Sequence, residues 1–202
     1  DLPSFSEKYN PGIVAMGAST GGPRALQYIL TRLPADFPLG ILIAQHMPRE
    51  FISHFASRLN SLSPLEVLVA EDGAEVLPGK ALVAPSGLQT GVVKDGKSYK
   101  IRLKKSDALY RPSVDYLFNS VAETYNKRSI GILLTGMGAD GACGLKQLKN
   151  AGAITIAEAR ETAVIYGMPR VAEEIGAVVY QLPLNEIPTC ICSLVKKNGL
   201  RK

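Results

Sequence analysis

A chain of 202 residues that is 46% hydrophobic and 20% charged can bury a substantial core and has the balance of an ordinary globular domain. This excludes a disordered tail, a collagen-like chain and a disulfide-stapled miniprotein. Lys and Arg number 23 against 18 Asp and Glu, a net charge of +5, and no basic block interleaves with aromatics as a nucleic-acid groove requires. No nucleic-acid partner is therefore expected, and a mild positive rim would instead favour an acidic macromolecular substrate. Cys143, Cys190 and Cys192 lack framework or metal-ligand spacing and read as buried structural thiols of a reducing compartment. No secretory leader is legible and no apolar run reaches the roughly 18 residues of a membrane span. The expectation is a cytoplasmic protein that does not insert into membranes.

Seven short apolar runs follow one another, at 13–16, 41–44, 67–70, 81–84, 130–134, 154–157 and 178–182. They are continuous rather than alternating, as strands buried on both faces require. Amphipathic stretches separate them. The stretches 23–33 and 48–59 each begin on proline, which suits a first helical turn. Residues 114–125 follow Ser113, a candidate cap, and further helices are expected at 141–150, 169–174 and 184–195, the last weakened by Pro188. Between them, 88–103 alternates around Asp95-Gly96, a hairpin signal that predicts an antiparallel excursion at a sheet edge or an arm. The fold class is α/β: three layers, a mainly parallel doubly wound sheet with helices on both faces, and a small hairpin.

Ligands of such sheets bind beyond the carboxyl ends of the strands. The loops there are Gly17-Ala18-Ser19-Thr20-Gly21-Gly22, Gln45-His46-Met47-Pro48 and Thr135-Gly136-Met137-Gly138-Ala139-Asp140-Gly141. Together they supply a serine, a histidine and an aspartate, the parts of a nucleophilic hydrolase. Ser19 on a tight strand-to-helix turn would have N–H groups and a helix dipole beside it to hold an oxyanion. From the residues alone, the Ser19 loop reads equally as a phosphate cradle or a helix cap, and Asp140 as a cap. The spacing lacks G-x-G-x-x-G and G-x-S-x-G. His54 reads as a structural helix residue, and two histidines without a metal motif leave no metal site. No cofactor is expected.

The order of motifs closely resembles the catalytic domain of the bacterial chemotaxis protein-glutamate methylesterase family. They are G-A-S-T-G-G at 17–22, Q-H-M-P at 45–48, E-D-G at 71–73, L-V-A-P at 82–85, R-P-S-V-D at 111–115, L-T-G-M-G-x-D-G at 134–141 and G-M-P-R at 167–170. The resemblance spans about residues 12–195. It implies Ser19 as nucleophile, His46 as base and Asp140 as the group that orients it. It also implies Met137 near the oxyanion through its N–H, with Thr20 as a hydrogen-bond partner of the histidine. Ala139 stands where some relatives carry asparagine. The implied reaction is hydrolysis of glutamate methyl esters on cytoplasmic chemoreceptor helices, with glutamine deamidation as the same acyl chemistry. Implied partners are the methyl-accepting chemoreceptors and an N-terminal receiver domain phosphorylated by the chemotaxis histidine kinase, in a protein expected to be monomeric. On this reading residues 1–11 are the end of an interdomain linker, 12–196 the catalytic domain and 197–202 a tail. Arg24, Arg49, Arg111, Arg160 and Arg170, in or beside the loops, are candidates to face the acidic substrate or to make surface salt bridges. Met47, Met137 and Met168 flank the same loops as lining or ordinary packing.

Overall fold

The computed structural model describes residues 10–196; the stretches 1–9 and 197–202, which hold most of the expected linker and the whole expected tail, lie outside it. In chain order the elements are β1 (Ile13–Ala18), α1 (Gly22–Leu30), β2 (Gly40–Gln45), α2 (Arg49–Leu62), β3 (Glu66–Val69), β4 (Lys80–Val83), β5 (Gln89–Asp95) and β6 (Ser98–Lys104). There follow α3 (Val114–Tyr125), β7 (Ser129–Leu133), α4 (Ala142–Asn150), β8 (Ile154–Glu158), α5 (Met168–Glu174), β9 (Tyr180–Leu182) and α6 (Ile187–Lys196).

Seven strands form one sheet in the order β3-β4-β2-β1-β7-β8-β9, and all adjacent pairs are parallel. The central strands β1, β2 and β7 are buried along their whole length, which is why their sequences are unbroken apolar runs. One face packs Leu26 and Ile29 of α1, Ile52 and Phe55 of α2, and Ile191 and Leu194 of α6. The other packs Leu117 and Phe118 of α3, Leu145 and Leu148 of α4, and Ala172 of α5. Close helix approach is built into the strands: a side chain at Gly131 would meet the Leu148 side chain at 2.6 Å.

Three expectations are corrected. The edge strands are not buried on both faces: β3 exposes Glu66 and Leu68, and β9 exposes Gln181, since among the described residues no strand pairs beyond them. The antiparallel hairpin β5-β6 forms as expected, but as a separate two-stranded sheet lying on α3 rather than at an edge of the main sheet or as an arm. Ser120 Oγ donates to Leu117 C=O at 2.8 Å and accepts from Val92 N at 3.1 Å, and Thr124 Oγ1 donates to Val92 C=O at 2.9 Å. Cys143 is exposed on α4, whereas Cys190 is buried and Cys192 half-buried. Pro188 falls in the first turn of α6, where a missing N–H costs no intrahelical bond. Among the described residues no helix is long and apolar enough to cross a membrane.

The chain leaves β1 for β2 on one side and returns to β7 on the other. A crevice therefore opens at the carboxyl ends of β1 and its two neighbours, the switch point where open α/β sheets gather ligands.

Candidate active site

Register brings the first two residues together. Ala18 pairs with Gln45 as the last step of the β1–β2 ladder, and His46 N donates to Ala18 C=O at 3.1 Å. Ser19 and His46 are thus the next residues along two strands that run side by side, roughly 4.8 Å apart. Gln45 ties their loops: buried at the end of β2, its Nε2 donates to the carbonyls of both Ser19 and His46 at 2.9 Å. Gly22 makes room for it, because a side chain there would collide with Gln45 Oε1. Gly21 holds φ +84° before α1, a conformation that favours glycine.

The third residue arrives from the loop after β7, which turns on Gly138 at φ +94° and Gly141 at φ +95°. Asp140 is buried and its carboxylate is fully engaged. His46 Nε2 and Val114 N donate to Oδ2, each at 2.7 Å. Ser113 Oγ and Asp115 N donate to Oδ1 at 2.8 and 3.0 Å. Val114 and Asp115 open α3, so the carboxylate sits at a helix N-terminus, where the dipole favours negative charge. Burial pushes the Asp140 carboxyl up, but the bonds from His46, Asp115, Val114 and Ser113 outweigh it and hold the group below its ordinary value. An ionised Asp140 only accepts, so Nε2 of a neutral His46 carries the proton and Nδ1 keeps its lone pair. The imidazole also stacks on Tyr110, with centroids 4.6 Å apart and planes 5° from parallel. Gln89 anchors Tyr110 by donating to its carbonyl at 2.7 Å.

Thr135 braces the serine from the β7 side. Its C=O accepts Ser19 N at 3.0 Å, its hydroxyl donates to Thr20 C=O at 2.9 Å, and its own N–H donates to buried Glu158 Oε2 at 2.8 Å. Gly136 lies so close that a side chain there would meet Ser19 Cβ at 2.8 Å.

The structure therefore gathers Ser19, His46 and Asp140 at one sheet edge. His46 and Asp140 are directly bonded; among the described residues no hydrogen bond joins Ser19 Oγ to His46. Thr20 does not bond His46 either: the ring nitrogen's partner is Asp140, and Thr20 is held through its carbonyl. Met137 is 68% exposed, and its N–H donates to nothing among the described residues. Met168 is core, and Met47 is half-buried against the core. Of the arginines, Arg111 donates to Ser106 C=O at 2.9 Å and Arg170 pairs with Glu174 at 2.6 Å. Arg24, Arg49 and Arg160 are exposed and make no ion pair among the described residues. His54 is exposed on α2. Among the described residues no group of three His, Cys, Asp or Glu gathers as a metal would need.

Sequence reasoning missed Gln45, Tyr110 and Glu158. Gln45 and Glu158 had a signal, since each is a polar residue ending an apolar strand. Tyr110 had none, because its loop reaches His46 only through the three-dimensional fold. Ser113 was legible as a cap, and the structure confirms that its hydroxyl accepts Tyr116 N at 3.2 Å. Its bond to Asp140 was not legible.

Residues 14–191 match the family model described as CheB methylesterase. A protein-glutamate methylesterase/protein-glutamine glutaminase 2 of Hahella chejuensis is 46% identical over 184 residues, covering 90% of this chain and 50% of the relative. A protein-glutamate methylesterase/protein-glutamine glutaminase of Geobacillus kaustophilus is 46% identical over 198 residues, covering 96% of this chain and 57% of the relative. The chain thus spans about half the length of these relatives. The crystal structure of the Thermotoga maritima CheB methylesterase catalytic domain superposes with a TM-score of 0.90 at 42% identity, covering 92% of this chain and all of that one.

Proposed function

Because the chain belongs to the CheB methylesterase family, we propose that it hydrolyses glutamate methyl esters on the cytoplasmic helices of methyl-accepting chemoreceptors, with Ser19, His46 and Asp140 as its triad. The observation that carries this reading is the 2.7 Å bond from His46 Nε2 to a buried, fully engaged Asp140, on the residue that follows the register partner of the strand leading to Ser19.

Ser19 Oγ attacks the ester carbonyl as His46 Nδ1 takes its proton, and Asp140 stabilises the imidazolium. The N–H of Met137 and those of Thr20 and Gly21 in the Ser19 turn hold the oxyanion, the N–H of Ser19 itself being taken by Thr135 C=O. His46 returns the proton to the departing methoxide, releasing methanol and leaving an acyl-enzyme. Water, deprotonated by the same nitrogen, then hydrolyses the acyl bond to free glutamate and regenerates Ser19. With glutamine as substrate the same steps release ammonia. Arg24, Arg49 and Arg160 give the crevice a positive rim suited to an acidic helix. Arg111 and Arg170 serve the fold through their own partners. Residues 12–196 are the catalytic domain of a longer protein; the length of the relatives supports this. A receiver domain in the remainder, phosphorylated by the chemotaxis histidine kinase, regulates it in the cytoplasm.

Ser19→Ala should leave the circular dichroism spectrum unchanged and abolish methanol release from membranes bearing methylated receptor. Undiminished release would exclude Ser19 as the nucleophile.

A further inference from the structure

Beside the Ser19 turn, between α1 and the loop after β8, lies a cleft of about 300 Å³. Gly21, Arg24, Tyr28, Thr135, Glu158 and Val164 are among its walls. Its buried charged group is Glu158, the last residue of β8 and only 1% exposed. One carboxylate oxygen, Oε2, accepts Thr135 N at 2.8 Å. The other, Oε1, is buried without a hydrogen-bond partner among the described residues. Burial pushes this carboxyl above its ordinary value, against the pull of the Thr135 N–H and the nearby Thr162 hydroxyl. That hydroxyl is engaged elsewhere, donating to Ala159 C=O at 3.4 Å and accepting Leu184 N at 2.9 Å.

A buried acceptor without a donor is costly, and such groups in folded proteins call for an explanation. Ligand chemistry narrows what would satisfy it. A hydrocarbon leaves Oε1 unmet. A carboxylate or phosphate brings a like charge to Glu158. An ammonium or guanidinium satisfies Oε1 but enters past Arg24, which is exposed and makes no ion pair among the described residues. A carboxamide is neutral, presents N–H groups to Oε1, and turns a carbonyl towards Arg24 and Asn185, both of which line the cleft. The cleft also shares Gly21 with the turn that carries Ser19, and Thr135, another of its walls, accepts Ser19 N on its C=O at 3.0 Å. Val164, 60% exposed, stands on the same wall. A polypeptide crossing Ser19 passes close to this cleft.

We propose that this cleft is a specificity subsite for a carboxamide side chain that the polypeptide substrate carries near its reacting glutamyl residue, bound by Glu158 Oε1 and Arg24. The subsite rests on the esterase reading only for the identity of the chain that carries the amide.

The test has two arms. In the first, the Ser19→Ala protein is titrated with N-acetyl-glutamine N-methylamide and with the norleucine analogue, following backbone amide resonances by NMR. Saturable shifts at Gly21, Thr135 and Val164 are expected for the glutamine probe, with at least tenfold weaker binding of norleucine. Glu158→Met, which keeps the length but removes the acceptor, should abolish the response. Val164→Trp, an exposed position chosen to fill the mouth while sparing the buried Glu158–Thr135 bond, should abolish it too. Equal response to both probes overturns the proposal. So does a response confined to His46 and Met137, or one that survives in Val164→Trp. In the second arm, the unsubstituted protein hydrolyses glutamyl methyl ester peptides with glutamine or norleucine placed one helical turn to either side. At least a tenfold higher kcat/KM for a glutamine peptide is expected. Equal values for all peptides, with binding intact in the first arm, would mean a site for free carboxamides and overturn the substrate subsite. Failure to cleave any ester would sink the esterase reading, and the first arm would still decide whether the cleft binds a carboxamide.

Discussion

Asp140 receives four hydrogen bonds, from one imidazole, one hydroxyl and two main-chain N–H groups. Each asks it to accept, so the position selects a carboxylate over an amide of the same shape. In Asp140→Asn one side of the group becomes an NH₂ facing either Ser113 Oγ and Asp115 N, or His46 Nε2 and Val114 N. Whichever way the amide turns, a donor meets a donor. If it turns towards His46, the ring is driven to carry its proton on Nδ1, where the proposed mechanism needs a lone pair. Replacing the orienting carboxylate by its amide costs triad enzymes about 10⁴-fold in kcat. The same order is expected for ester hydrolysis here, with KM changed by less than about threefold because Asp140 is buried away from substrate. Single-turnover rates on a methylated peptide would check this. A loss below tenfold would mean that Asp140 serves to fasten the β7 loop to α3 rather than to orient His46.

The elements place the site through strand ends and the loops that leave them, and the sequence discloses the two unequally. The central strands were legible because burial on both faces leaves only an apolar run to read. The cap at Ser113 was legible because capping is local chemistry. That β3 and β9 are edge strands is not legible, since a short apolar run does not disclose whether a neighbour pairs beyond it. Ser19, His46 and Asp140, the proposed triad, stand out in the sequence by motif and by their positions after strands. What braces them does not, because Gln45, Tyr110 and Glu158 act across contacts that only the sheet order creates. Gly136 belongs to this second group. It lies between Ser19 and Met168, and a side chain there would meet Ser19 N at 3.1 Å and collide with the Met168 sulfur. One partner is main chain and the other is core, so neither yields freely. Gly136→Ala should push the Ser19 turn away from its register beside His46. An activity loss of tenfold or more is expected, with destabilisation of about 1–3 kcal/mol, the usual range for overpacking a close contact. Urea unfolding beside an ester assay would test both, and full activity at reduced stability would show that the turn tolerates displacement.

At the scale of the whole molecule, two buried carboxyl groups couple stability to pH in opposite directions. Asp140 is held below its ordinary value by its donors. It therefore contributes stability that is present above the unfolded pKa of about 3.9 and is lost as pH falls through its lower folded value. Glu158 is pushed above its ordinary value, chiefly by burial. Its ionised form penalises the fold at high pH, and the penalty is lifted as pH falls through the raised folded value towards the ordinary one near 4.5. Glu158→Gln separates the two. The amide oxygen can still accept Thr135 N, while the buried charge is gone and Asp140 is unaltered. The variant should therefore be more stable than the parent at pH 8, and the difference should shrink steadily below the raised Glu158 value and become smallest near pH 4.5. Relief of about 1 kcal/mol, the lower end for an unsatisfied buried group, moves the melting temperature by roughly 2–4 °C in a domain of this size. Acid loss from Asp140 occurs in both proteins and cancels in the difference. Paired melting curves from pH 4.5 to 8 give the answer. A gain that does not vary with pH would place the benefit in packing rather than charge, and a loss at pH 8 would mean that the Glu158 carboxylate is satisfied in solution by a donor the cleft itself admits.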